Sequence, residues 1–424
     1  MIKFSFFLVV GLILRLVLSV FIYSGDVNNH TGWGKSILTQ GSVGAYDRKY
    51  QGILQPTYPP LALYSFTTSS WAYKSIYSLT YQLNNQFSWF PSKLIWYLED
   101  QDVEPAFQKL LSIMSDIGIT VLIYALARKF LKSDSRSAFL AGMVYLFNPA
   151  VFYNSSLWGQ LESPPVFFIL LAVWLTITSK PLMGHAAMAM ALLIKQSSLI
   201  FFPIFIIFSY FKTGQKTTLK GLLLQFIIFY ISYLPFFNFQ VSTINYPLQT
   251  YLNRIEVGSG SDYITDHAFN LWALNTKLQK ISDKKVLFGN LNPNQIGKTV
   301  FIILYLILVI NFLKNRTNKS FINLLGLVSM TAFMVLTRMH ERYLAPTLPF
   351  LAVSAAVSPQ LWPIYLLITL GHLYNMYHQW WYPTLQVLRP VFDNWNTITL
   401  VIAGFILCWI SWGANYFDAV KKPR

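Results

Sequence analysis

The chain has 424 residues, of which 54% are hydrophobic, 17% aromatic and only 11% charged, and its formal net charge is +16. With a mean hydropathy of +0.44, this composition excludes a soluble globular protein and indicates a polytopic helical membrane protein. The lysines and arginines gather in short segments between apolar runs, as the positive-inside rule and attraction to anionic lipid require, so we expect no nucleic-acid partner. A lone Cys408 within an apolar run excludes an intrachain disulfide and a cysteine-based metal site.

The first apolar stretch runs from Phe4 to Tyr23 after Lys3 and is long enough to cross a bilayer. It exceeds the apolar part of a signal peptide, and no small-residue cleavage site follows, so we interpret it as a first span with the N-terminus inside. Residues 24–108 form one long predicted external loop rich in Tyr, Trp, Asn, Ser and Pro. Its middle, residues 61–79, is only half apolar, which favours interfacial amphipathic helices; the alternative is two extra crossings.

Further apolar stretches follow along the whole chain. They cover residues 110–127, 138–153, 165–178, 182–194, 199–211, 219–237, 299–312, 321–336, 344–357, 362–376 and 397–416. Several are shorter than the ~20 residues that a straight span needs, and we interpret those as tilted, kinked or broken helices.

The basic residues between these stretches predict the topology. A set of them falls on the same side as Lys3, which the positive-inside rule makes the cytoplasmic side. These are Arg128, Lys129, Lys132, Arg136, Lys212, Lys216, Lys220, Lys314, Arg316, Lys319, Lys421, Lys422 and Arg424. We therefore expect about 11–13 spans with both termini cytoplasmic, and a second long external loop at residues 238–298. No repeat or soluble domain is visible, so the sequence predicts one integral domain over residues 1–424.

A charged cluster interrupts two apolar runs at residues 337–343. It contains Arg338, His340, Glu341 and Arg342. Because a charge at the bilayer centre costs roughly 2.5–3.5 kcal/mol, we place this cluster at a membrane face or in a wet cavity. Guanidinium groups, a carboxylate and an imidazole suit a phosphate that must be bound and a proton that must be managed. The alternative is an ordinary polar turn between spans.

Three further ionisable residues lie at or within predicted spans. Asp26 follows the first span, and a carboxylate there is suited to accept a proton from a sugar hydroxyl. Lys195 interrupts an apolar stretch, so it either meets an anionic lipid phosphate or extends its ammonium group to the interface. Asp116 is expected to pair with a neighbour such as Arg15 rather than to take part in catalysis.

Five segments carry a resemblance to a known family. They are Gly25-Asp26 with His30 and Trp33; Thr57-Tyr58-Pro59-Pro60-Leu61-Ala62-Leu63-Tyr64; Trp158-Gly159-Gln160-Leu161-Glu162; Lys195-Gln196; and His340-Glu341-Arg342-Tyr343. In this order and approximate spacing they resemble the GT-C glycosyltransferases, over roughly residues 1 to 350. The chain is most similar to bacterial mannosyltransferases related to the second GPI mannosyltransferase, and to the dolichyl-phosphate-glucose glucosyltransferases of the asparagine-linked glycan pathway.

The resemblance implies a GT-C fold and a metal-independent, inverting transfer of a hexose from a polyprenyl-phosphate sugar, with no cofactor. It implies that Asp26 is the general base and that Lys195, His340 and Arg342 bind the donor phosphate. Substrate-binding or site-shaping roles are implied for His30, Trp33, Tyr58, Pro59, Pro60, Trp158, Gln160, Glu162, Gln196, Glu341 and Tyr343. Thr57 stands where the glucosyltransferase branch has an acid, which favours mannose as the donor sugar and leaves Asp47 as a second candidate acid.

The expected partners are therefore the lipid-linked donor, a glycan or glycolipid acceptor and membrane lipid. We expect the active site on the external face of the plasma (inner) membrane. Two alternatives stay open: a flippase or transporter of lipid-linked oligosaccharides, which also combines broken helices with intramembrane charges, and a ligase or polymerase of surface glycans.

Overall fold

The computed structural model describes residues 2–100, 103–130, 132–240, 243–258, 262–286 and 289–421. Within these ranges the chain is helical and forms no β-strand. The α-helices are α1 (Ile2–Ser19), α2 (Gly25–Gln40), α3 (Pro60–Gln86), α4 (Lys93–Leu98), α5 (Val103–Gln108), α6 (Leu110–Ala125), α7 (Ser135–Leu146), α8 (Pro149–Phe152), α9 (Ser163–Ile177), α10 (Pro181–Ile194), α11 (Phe202–Thr213), α12 (Gln215–Tyr233), α13 (Tyr246–Gly258), α14 (Leu271–Thr276), α15 (Pro293–Lys314), α16 (Asn318–Val335), α17 (Thr347–Val357), α18 (Trp362–Gln379), α19 (Arg389–Phe392) and α20 (Trp395–Lys421).

Six helical segments of the described ranges are long and apolar enough to cross a membrane. They are Val103–Lys129, Gln196–Thr213, Gln215–Phe236, Pro293–Lys314, Asn318–Val335 and Trp395–Asp418. Several present large apolar side chains outward; Leu223 is 60% and Leu400 is 71% exposed. Such faces are costly in water and favourable against lipid. The helical class and the membrane-spanning capacity agree with the sequence, whereas the count of about 11–13 spans and the GT-C fold stay predictions.

Every apolar stretch predicted as a span is at least partly helical, and several are broken, as expected. The stretch at 138–153 is divided between α7 and α8, and the one at 344–357 is reduced to the short α17. Two residues used for the predicted topology, Lys422 and Arg424, lie outside the described residues.

The predicted first loop is largely helical. Helix α3 includes the half-apolar stretch at residues 61–79, as predicted, but α2 was not expected from its polar, glycine-containing sequence. Helix α2 buries one face, because Val27, His30, Gly34 and Ile37 recur at intervals of three or four residues and are buried. The predicted loop at 238–298 likewise contains α13 and α14.

The first compact unit comprises Met1–Gly118, Phe152–Leu199 and Lys212–Gly258. Its core includes Trp33, Phe66 and Tyr233, all nearly inaccessible. Helices α2 and α3 approach so closely that a Cβ added at Gly34 would lie 2.4 Å from the carbonyl oxygen of Phe66. This contact fixes the helix that carries Asp26.

The second unit comprises Ile119–Val151, Ile200–Phe211 and Ser259–Arg424. Helix α16 is almost wholly buried there and packs against α15, α17 and α20. Some buried polar side chains of this core pair with one another: the Asn148 amide donates to the Tyr365 hydroxyl at 2.8 Å, and the Trp412 indole donates to the Asn323 side chain at 2.7 Å. The chain thus divides into two compact groups of helices, and the single domain over residues 1–424 stays a prediction.

Candidate functional site

Asp26 lies in the first turn of α2, in the first unit, and is half-buried. The orientation of its carboxylate is fixed by the buried amide of Gln160, whose Nε2 donates to Asp26 Oδ2 at 2.9 Å. A helix N-terminus stabilises negative charge through its unpaired backbone N–H groups. The sequence places a carboxylate here; the structure adds the amide that orients it.

The segment that brings Gln160 to Asp26 has an irregular backbone. Residues Tyr153–Trp158 form a π-helix, which ends at Gly159 with φ +80°. A Cβ at Gly159 would lie 2.4 Å from Val27 Cγ2, next to Asp26 in α2. Glycine is therefore required both by the left-handed backbone and by the close approach to α2. Trp158 itself is buried.

Lys195 sits at the break where α10 ends, and only 6% of the residue is exposed. Its ammonium group forms an ion pair with the carboxylate of Glu162, which is also buried. The side chain therefore does not extend to an interface, and it has an anionic partner in Glu162. The Lys195 Nζ also lies 5.9 Å from the centre of the Tyr58 ring.

The Tyr58-Pro59-Pro60 motif begins α3, with Pro59 as the N-cap and Pro60 as the first helical residue. The Gln196 amide donates to the backbone oxygen of Thr57 at 2.8 Å, which joins this motif to the residue after Lys195. The Tyr58 ring meets the His30 ring edge-on at 5.5 Å. A proline at the first helical position is favoured because its missing N–H costs nothing there.

An aromatic group closes the same region. The His30 ring stacks on Phe66, with 4.2 Å between ring centres and 9° between planes. The Trp33 indole donates to the backbone oxygen of Leu54 at 2.7 Å. Four of the five sequence motifs, separated by up to 170 residues, are thus linked by contacts within the first unit.

A buried ion pair contacts the chain on both sides of the motif from Trp158 to Glu162. Arg15 donates to Asp116 at 3.0 Å with neither side chain accessible, so the expected pairing of these two residues is confirmed. Asp116 also accepts hydrogen bonds from Ser155 at 2.6 Å and Ser163 at 2.5 Å. These two serines precede and follow the motif from Trp158 to Glu162.

Lys109 was not singled out from the sequence. Its fully buried ammonium group has three N–H donors and lies within hydrogen-bonding distance of the carbonyl oxygens of Ser19, Ile22, Ser156 and Leu157. Lys109 therefore connects the end of α1 to the π-helix at Tyr153–Trp158. Its position at the border of an apolar stretch was the available signal, because lysine there requires partners.

The charged cluster at 337–343 belongs to the second unit, and its two arginines differ. Arg338 makes a two-pronged contact with Asp283, with Nε–Oδ2 at 2.8 Å and Nη2–Oδ1 at 3.0 Å. Thr337 and Asn294 also donate to this carboxylate. Burial raises the pKa of Asp283, but the hydrogen bonds and the positive charge of Arg338 outweigh it, and the pKa lies below its ordinary value. Arg338 is thus committed to a structural contact.

Arg342 pairs instead with its neighbour, Nη1 lying 3.0 Å from Glu341 Oε1. Burial raises the pKa of Glu341 to about 7, although the nearby Arg342 lowers it. Burial and the neighbouring guanidinium thus act in opposite directions on the charge of Glu341. The Tyr343 ring packs edge-on against His340, with 5.0 Å between ring centres.

His340 has an acidic neighbour that the sequence did not reveal. Its Nδ1 lies 3.8 Å from Asp266 Oδ2, and Asp266 Oδ1 lies 3.7 Å from His267 Nε2. Burial lowers the pKa of His267, an effect that Asp266 partly offsets. The buried Asn375 fixes this loop, donating to the His267 carbonyl at 2.7 Å and accepting from the Phe269 N–H at 3.0 Å. No periodicity or motif marks Asp266 in its long polar segment.

The described residues contain no group of three or more His, Cys, Asp or Glu side chains arranged to hold a metal ion. No protein-family model matches the chain, and no curated protein matches it significantly.

Proposed function

We propose that this chain is an inverting GT-C glycosyltransferase that moves a hexose, with mannose favoured, from a polyprenyl-phosphate donor to a glycan or glycolipid acceptor on the external face of the plasma membrane. One observation carries the proposal: four distant motifs contact one another around Asp26. A carboxylate held by an amide, an aromatic group and a buried lysine are the parts that hexose transfer from a lipid phosphate requires.

In the proposed reaction, an acceptor hydroxyl oxygen attacks the anomeric carbon of the donor sugar. The bond from that carbon to the phosphate oxygen breaks, and the polyprenyl phosphate leaves with the electron pair. Asp26 takes the proton of the acceptor hydroxyl. The hydrogen bond from Gln160 holds the carboxylate in one orientation, and such positioning reduces the reorganisation that the transition state requires.

The leaving phosphate gains negative charge as the bond breaks, so cationic groups that contact it stabilise the transition state more than the ground state. The resemblance assigns this role to Lys195, His340 and Arg342, and we adopt that assignment as part of the proposal. Lys195 carries a positive charge and N–H donors, and its ion pair with Glu162 holds the ammonium group in place. Arg342 presents a planar guanidinium, which suits phosphate.

The experiment is to incubate the purified protein with a panel of polyprenyl-phosphate hexoses, with and without membrane glycolipid extracts, and to measure transfer and slow hydrolysis. We expect release of polyprenyl phosphate with one preferred hexose. A transporter or flippase would move the donor across vesicles without breaking it, and that outcome would overturn the proposal.

A further inference from the structure

A separate cleft opens within the first unit among α2, α3, α4 and α5. Its volume is about 460 Å³, within the range of about 300–1,000 Å³ usual for small-molecule sites. Helix α2 contributes Lys35 and Thr39 to its lining. Lys35 follows Asp26 by nine residues, which is two and a half helical turns, so it lies on the opposite face of α2. The cleft is therefore distinct from the proposed catalytic site.

One wall of the cleft is aromatic. Tyr73, Tyr77 and Tyr81 follow one another at intervals of four residues along α3. The centres of successive rings lie 6.4 Å apart, and their planes are inclined by 28° and 22°. The first two line the cleft and the third does not. The Tyr73 hydroxyl donates to the Leu98 carbonyl at 2.8 Å, and the Tyr77 hydroxyl donates to Glu99 at 2.7 Å. These bonds hold two ring faces in place.

The other walls carry charges that sum to zero. Lys35 and Lys74 face the cleft together with Glu99 and Glu104. The Lys35 ammonium lies 2.6 Å from the Glu104 carboxylate. Such a lining offers both hydrogen-bond donors and acceptors but no net charge to attract an anion.

The floor beneath these walls is polar as well. Ser70 lines the cleft, and its hydroxyl oxygen accepts from the buried Gln108 amide at 3.0 Å. Ser70 therefore presents a hydroxyl whose position is fixed from below.

We propose that this cleft binds a neutral saccharide, one or two sugar rings in size. The apolar C–H face of a pyranose packs on an aromatic ring face, and its hydroxyls both donate and accept hydrogen bonds. The two tyrosine rings supply the faces, and the two lysines and two glutamates that line the cleft supply partners for the hydroxyls. This site does not depend on the proposed catalytic activity, because no residue that lines it belongs to the catalytic cluster.

The test is saturation-transfer NMR on the full chain in a detergent without a sugar headgroup. The probes are methyl glycosides of mannose, glucose, galactose and N-acetylglucosamine, and their disaccharides. We expect transfer to at least one neutral glycoside, with affinity weakened about two- to tenfold by Tyr77→Leu, as expected for the loss of one aromatic contact. The matched control is Tyr81→Leu, because Tyr81 lies one turn further along the same row of rings but outside the cleft. This variant should bind the glycoside with normal affinity.

A second measurement does not depend on the aromatic variants. Cys408 is buried, so a Thr39→Cys variant carries a single accessible thiol at the rim, and the bound glycoside should slow its modification. Glu99→Gln, which keeps the size of the side chain, should weaken binding without loss of the fold. Absence of transfer to every glycoside, or equal losses in Tyr77→Leu and Tyr81→Leu, would overturn the proposal.

Discussion

At the scale of single residues, the two arginines of the charged cluster separate structure from function. Arg338 is bound to a buried carboxylate, and removing one partner of such a pair costs about 3–5 kcal/mol. Arg342 is paired with Glu341, which can take up a proton when its partner is lost. We therefore predict that Arg338→Ala lowers the melting temperature, whereas Arg342→Ala raises the donor KM and lowers kcat with little change in melting temperature.

Donor titrations and thermal melts of both variants provide the measurement. Arg342→Lys should recover activity only in part, because a point charge does not reproduce a planar two-pronged contact. If Arg342→Ala keeps wild-type KM and kcat but melts early, as Arg338→Ala is expected to, the cluster is a structural turn.

Glu341 gives a pH dependence whose sign follows from its environment. Burial raises its pKa from the ordinary 4.5 to about 7, so between these values the folded chain holds a proton that the unfolded chain releases. This contribution to stability is fully present below pH 4.5 and is lost as the pH rises through about 7. At pH 8, Glu341→Gln should therefore be more stable than the wild type by up to about 3 kcal/mol, and near pH 4.5 the two should be similar.

Melting temperatures of the two proteins from pH 4.5 to 8 check this. Curves that stay parallel across the range would show that Glu341 does not titrate in this window. The glutamine keeps an oxygen that can accept from Arg342, so the comparison changes the charge and little else.

At the scale of elements, the turn at Gly159 determines how closely Gln160 approaches Asp26 in α2. We predict that Gly159→Ala costs about 1–3 kcal/mol, because it combines a strained left-handed backbone with a clash against Val27. It should also displace Asp26 from Gln160 and lower turnover at least tenfold. The matched control is Gly25→Ala, next to Asp26, where an added Cβ meets nothing within 4 Å.

Turnover and thermal melts of both variants decide this prediction. Equal turnover in Gly159→Ala and Gly25→Ala would contradict it and would show that the turn at Gly159 does not position Asp26.

Elements were predictable where apolar residues dominate, because each apolar stretch became helix. Helix α2 was not predicted, since its buried positions include His30 and Gly34, which a search for apolar periodicity does not count. The breaks that make the site also have weak local signals: Lys195 marks the end of α10 only by its charge, and the π-helix before Gly159 has no recognisable sequence pattern.

Within the candidate site, residue types and order were predictable, but partners were not. Asp26, Glu162 and Lys195 were identified from sequence. Nothing in their spacing, however, predicts that Asp26 contacts Gln160 or that Glu162 pairs with Lys195. Asp266 was missed for the same reason, because contacts between distant segments depend on packing rather than on spacing.

At the scale of the whole molecule, one helix tests the membrane topology. Helix α15 has 22 residues, about 33 Å at 1.5 Å per residue, enough to cross a hydrocarbon core of about 30 Å. Cysteines introduced at Lys284 before it and at Lys314 at its end should lie on opposite faces. We predict that an impermeant thiol reagent added outside intact cells labels Lys284→Cys and not Lys314→Cys. Reversed labelling would place residues 238–298 inside, and equal labelling would show that α15 does not span.

The central claim is that Asp26 is the base of an inverting hexose transfer. The most direct test is NMR of the sugar released or transferred from a polyprenyl-phosphate hexose by the wild type and by Asp26→Asn. Asparagine keeps the size of the side chain and an oxygen for Gln160 but cannot accept the proton. The account predicts a first product of inverted anomeric configuration and a rate in Asp26→Asn lower by about two to four orders of magnitude. Retained configuration, or near-normal turnover in Asp26→Asn, would contradict it.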